Sequence, residues 1–96
     1  MSDVIGAAVA ALQGKMGDRG FDGSVRFDIE GEGSVRIDEN GVRADDSRAD
    51  CTISADLDTF RELIDGNLNP TGAFMSGRLR IAGDMGLAMR LASVLG

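Results

Sequence analysis

The stretch Val25-Arg26-Phe27-Asp28-Ile29-Glu30-Gly31-Glu32-Gly33-Ser34-Val35-Arg36-Ile37-Asp38-Glu39-Asn40-Gly41-Val42-Arg43-Ala44-Asp45 alternates apolar and charged residues with a period of two. Successive side chains of a strand point to opposite faces, so this pattern predicts strands with one covered and one wet face. Gly31-Glu32-Gly33 and Glu39-Asn40-Gly41 interrupt the alternation with turn residues and predict two hairpins. Asp50-Cys51-Thr52-Ile53-Ser54 resumes it as a fourth strand, and the expectation is a four-stranded antiparallel meander.

Upstream the period changes. Ile5, Ala8, Val9, Leu12 and Met16 form one helical stripe, predicting a helix over 3–15, opened by Ser2 or Asp3 and closed by Gly14 and Gly17. Downstream, Leu57, Phe60, Leu63 and Ile64 share a helix face, with Asp56 as cap and Gly66 as stop. Asn69-Pro70 reads as cap plus first position of a short helix ending at Gly77. Arg78-Leu79-Arg80-Ile81 alternates as a fifth strand, and Gly83-Asp84 opens a last helix to Leu95. The order is helix, four strands, two helices, strand, helix. It predicts an α+β fold in one domain over residues 1–96: a five-stranded, mainly antiparallel sheet with helices covering one face.

Composition narrows the function. The net charge of −6 argues against nucleic acid and leaves at most weak contact with anionic membranes. Arg26, Arg36, Arg43, Arg78 and Arg80 stand among acidic residues and read as a solvated mixed-charge face. The chain has no His, which removes His-based triads and His-centred metal sites. Its single Cys51 falls on the inner side of a strand, where a thiol serves as a small apolar group, and a reducing cytoplasm suits it. Asp45/Asp46 occupies a turn and Asp56/Asp58 a helix start, positions that carboxylates take for structural reasons. No catalytic site and no cofactor are expected.

The final helix is less ordinary. Met85, Ala88, Met89, Ala92 and Leu95 make one stripe and Leu87, Leu91 and Val94 a neighbouring one, with Arg90 the lone charge after Asp84. A helix resting on a sheet needs a narrower apolar arc than this. The surplus meets another helix, a second subunit or a ligand. Three Met in the region (Met75, Met85, Met89) suit a deformable wall.

Leu68-Asn69-Pro70-Thr71-Gly72-Ala73-Phe74-Met75-Ser76-Gly77-Arg78-Leu79-Arg80-Ile81-Ala82-Gly83-Asp84-Met85-Gly86-Leu87-Ala88-Met89 closely resembles the C-terminal signature of the sterol carrier protein 2 (SCP-2) family. Ala49-Asp50-Cys51-Thr52-Ile53-Ser54, followed by Asp56 and Phe60, is similar to that family's fourth strand and next helix. Arg78, Arg80 and uncharged Ala82 stand where the family often has Lys. The resemblance implies a sheet covered by helices around an apolar tunnel, and non-covalent binding or transfer of a lipid or fatty acyl ligand without a cofactor. Carried over by position, the implied tunnel wall is Phe60, Ile64, Phe74, Met75, Leu79, Ile81, Met85, Met89 and Leu91. Arg90 or Arg78 is the expected partner of a carboxylate or phosphate at its mouth. The alternative is an interaction or homodimerisation module that uses the apolar helix 84–95.

Overall fold

The structure, a computed structural model, describes residues 4–17 and 20–95. Helix α1 (Val4–Met16) leads into strands β1 (Val25–Ile29), β2 (Gly33–Asp38), β3 (Gly41–Ala44) and β4 (Cys51–Ala55). Helices α2 (Leu57–Ile64) and α3 (Pro70–Met75), strand β5 (Arg80–Gly83) and helix α4 (Met85–Leu95) follow. The expected N-terminal caps Ser2 and Asp3 and the side chain of Leu95 lie outside the described residues.

The sheet is mixed, in the order β3-β2-β1-β4-β5. Inward-facing Val25, Phe27, Ile29, Val35, Ile37, Cys51, Ile53 and Ala55 are buried, and the residues between them on β1 and β4 are half-buried. The two expected hairpins are present, but the four-stranded meander is not. After β3 the chain crosses to the far side of β1, and β4 pairs with β1 in parallel, Val25 opposite Cys51 and Phe27 opposite Ile53. The crossing is made by residues 45–50 over the outer face of the sheet. Arg26 Nη1 donates to the Asp46 carbonyl at 3.1 Å, and Arg36 Nη1 donates to the Arg48 carbonyl at 2.7 Å. Ser24 Oγ accepts from Asp50 N at 2.9 Å where the crossing meets β4. The outer arginines are therefore clamps on a crossover as well as a polar coat.

Arg26, Arg36 and Arg43 lie side by side on neighbouring strands. Like charges so placed repel unless carboxylates intervene. Arg26 pairs with Asp28 at 2.9 Å, and Asp38 accepts from Arg36 Nε at 2.9 Å, Arg43 Nη2 at 2.9 Å and Asn40 N at 2.9 Å. The two Arg43 bonds above all, with those from Arg36 and Asn40, outweigh burial and hold the Asp38 carboxyl far below the usual carboxylate range.

The other differences are local. Helix α1 runs through Gly14 to Met16. Strand β5 begins at Arg80 rather than Arg78, because the Ala73 carbonyl accepts from both Arg78 N and Leu79 N and folds those residues back on α3. The expected caps are in place: Asp56 accepts from Thr59 N at 2.7 Å, and Asn69 from Thr71 N at 2.8 Å. Asp84 accepts from Gly86 N at 2.8 Å at the start of α4. Gly83 joins β5 to α4 at φ +95, and a Cβ there would lie 2.4 Å from the Asp50 carbonyl oxygen. Only glycine accommodates both the dihedral and that approach.

Candidate functional site

Register places Phe27 of β1, Ile53 of β4 and Ile81 of β5 in one row across the inner face. This row is the floor of an apolar cavity. Leu63 of α2, Pro70, Thr71 and Phe74 of α3, and Leu79 close one side. Met85, Ala88, Met89, Leu91 and Ala92 of α4 close the other. Its free volume is about 50 Å³. Among the described residues no charged side chain lines it, and the Thr71 hydroxyl is the polar side-chain group there.

The outer wall is unusual for a core. Leu91 is fully buried, yet Phe74, Met85 and Met89 are 40%, 42% and 53% exposed. Leu87, Ala88 and Leu91 anchor α4 to the interior, while Met85 and Met89 reach across the mouth of the cavity. Leu87 settles against Gly23, where a Cβ would meet its methyl at 2.6 Å. The surplus apolar arc of α4 is thus divided between core and cavity mouth.

Of the residues singled out from sequence, Phe74, Leu79, Ile81, Met85, Met89 and Leu91 surround this cavity. Phe60 and Ile64 face a different hollow, a groove of about 460 Å³ between α1 and α2. Met75 lines neither and is 81% exposed, because the single buried residue of short α3 is Ala73. The tunnel wall expected from sequence did not include Phe27, Ile53, Leu63, Pro70, Thr71, Ala88 and Ala92. Strand alternation already put Phe27 and Ile53 on the inner face, and register with Ile81 was the absent signal.

Neither arginine expected at the mouth is among the cavity's lining residues. Arg78 donates to Thr59 Oγ1 at 3.1 Å and is bound to Glu62, and Arg90 Nη1 donates to the carbonyl of Asp22 at 3.2 Å. Burial, and then the Asp84 charge, push the Cys51 thiol up, which suits an inert apolar group. The Asp45 carboxyl is held below its ordinary range by Ser47 N, and that of Asp56 by Thr59 N. Among the described residues no group of three or more metal-ligating side chains occurs, and no helix is long and apolar enough to cross a membrane.

Fold and cavity define an α+β domain with a mixed sheet, helices over its inner face and an apolar hollow between them. The family model of the SCP-2 sterol transfer family matches residues 8–96, and the chain belongs to that family. It is 39% identical over 87 residues to sterol carrier protein 2 of Rattus norvegicus, covering 90% of this chain and 15% of that protein. It is 39% identical over 82 residues to hydroxysteroid dehydrogenase-like protein 2 of Xenopus laevis, covering 77% of this chain and 20% of that one. The chain thus spans a fifth or less of the length of these relatives. Among solved structures, it resembles sterol carrier protein 2 of Aedes aegypti in complex with palmitate. There the TM-score is 0.79 at 17% identity, over 100% of this chain and 97% of that one. The palmitated SCP2L2 of the same organism matches with a TM-score of 0.65 at 25% identity, over 95% and 86%.

Proposed function

We propose that this chain holds the aliphatic part of a lipid, a fatty acid or fatty acyl compound above all, and releases it chemically unchanged. The observation that carries this is the cavity over Phe27, Ile53 and Ile81, whose mouth is formed by the half-exposed Phe74, Met85 and Met89. Exposed apolar side chains gathered at the mouth of an apolar hollow are stabilised by an apolar guest, each buried methylene contributing about 0.8 kcal/mol. At about 50 Å³ the hollow is smaller than the roughly 300–1,000 Å³ of typical ligand sites, so entry requires the wall to yield. Met85 and Met89 are unbranched and adaptable, and they stand where the yielding is needed. Membership of a family with palmitate-bound structural relatives supports the same reading.

The binding wall on this reading is Phe74, Leu79, Ile81, Met85, Met89 and Leu91, with Phe60 and Ile64 behind it on the groove side of α2 and Met75 outside it. No bond is made or broken and no cofactor takes part. The inert setting of Cys51 and the structural roles of Asp45 and Asp56 support that. A cytoplasmic setting suits the lone buried thiol. Contact with membranes is brief and favours uncharged lipid surfaces, given the net charge of −6.

The test is uptake of a fluorescent fatty acid, combined with native mass spectrometry of the purified protein. Wild type takes up the probe. Phe74→Asp and Met89→Asp, both at exposed positions, abolish uptake while the circular dichroism spectrum is kept. Wild type that takes up no probe and runs as a lipid-free dimer refutes the proposal.

A further inference from the structure

Helix α2 stands between two hollows: Leu63 lines the cavity, whereas Phe60 and Ile64 line the groove against α1. The partition is thin. The Phe60 ring meets Phe27, part of the cavity floor, edge-on at a centroid distance of 4.9 Å. The groove is open because three of the four α1 residues that line it, Ala7, Ala8 and Ala11 beside Val4, are alanines. Its volume of about 460 Å³ falls within the roughly 300–1,000 Å³ typical of ligand sites, which the cavity alone does not reach.

The two hollows differ in charge. Among the described residues no charged one lines the cavity, while Arg61 and Asp65 line the groove. Among the described residues no carboxylate lies within ion-pair distance of the exposed Arg61 guanidinium. The cations Arg78 and Arg90 are already engaged. A tail is at home in one hollow, and an anionic oxygen finds a free donor at the other.

We propose that the α1–α2 groove is the head-group end of the lipid site: Arg61 binds the carboxylate or phosphate oxygens of a single-chain lipid, and the chain passes Phe60 into the cavity. This rests on the lipid-binding reading and adds direction to it. Asp65, on the same rim, competes for the guanidinium and sets a ceiling on the affinity for anions.

The experiment titrates the purified chain with cis-parinaric acid and with its methyl ester, which share a tail and differ in charge. Ala7→Phe fills the groove from an exposed helix position and weakens both probes at least about tenfold. Arg61→Gln weakens the acid about fivefold and leaves the ester unchanged, as for a solvent-screened charge pair. Asp65→Asn tightens the acid alone. Thermal melts verify that each variant is folded. If folded Ala7→Phe or folded Arg61→Gln binds both probes as wild type does, the groove is not the head-group end, although lipid binding stands. If wild type takes neither probe, the lipid-binding reading fails and the assignment fails with it.

Discussion

Replacing Ala92 by Leu separates a cavity that serves a ligand from a mere packing fault, because the two predict opposite effects on stability and on binding. Ala92 is half-buried on α4 and lines the hollow. Leucine adds three carbons and keeps a high helix propensity. Empty cavity volume costs about 24 cal/mol per Å³, so filling some 50 Å³ stabilises the unliganded protein by up to about 1.2 kcal/mol. For a chain of this size, that raises the melting temperature by about 5–10 °C. The same three carbons displace an equal length of lipid tail, and at about 0.8 kcal/mol per methylene the loss is about 2.4 kcal/mol, or about fiftyfold in Kd. The assay pairs a thermal melt without lipid with displacement of a fluorescent fatty acid. A variant that melts higher but binds as wild type would place the lipid elsewhere, and one that melts lower would mean the hollow is already filled.

Two further predictions concern the frame that holds the site. Asp38→Asn removes the charge on which Arg36 and Arg43 converge and loses about 2 kcal/mol in denaturant titration. Since the folded Asp38 carboxyl titrates below the unfolded one, its stabilisation is complete above the ordinary carboxylate range and is lost as pH falls through and below about 4. Acid unfolding of wild type should follow that course, and the pH dependence should flatten in Asp38→Asn; an unchanged acid limb would refute the role. Gly83→Ala forces a methyl to within 2.4 Å of the Asp50 carbonyl oxygen at a positive φ and loses about 3 kcal/mol or more. A melt within a degree of wild type would contradict the strained junction.

Much of this was legible in the residues, for reasons that also explain what was not. Alternation along 25–45 and again along 50–54 records which side chains face inward, and it located the strands and the buried Phe27 and Ile53. It does not record neighbours: a strand parallel to β1 and one antiparallel to β3 carry the same pattern, so the crossover was invisible. Its clamps, Arg26 and Arg36, looked like any solvated charge. Caps were readable because Asp56, Asn69 and Asp84 act on N–H groups within three residues. Helical spacing identified the apolar side of α4 but could not separate Leu91, against the core, from Met89, over the mouth. Whether an apolar face meets protein or a void depends on distances set by other elements. Phe60 and Ile64 fell beside the second hollow for that reason, and Met75 faced outward on α3.

The crossover also governs when the molecule becomes competent. The row Phe27, Ile53 and Ile81 draws on three strands that are far apart in the chain, and Ile81 is contributed last. On a ribosome, then, the hairpins of β1, β2 and β3 can form while there is still nothing on which a greasy guest could rest. On the proposed lipid-binding reading, loading awaits the emergence of residue 81 and the helix beyond it, and a half-made chain has no container for cargo.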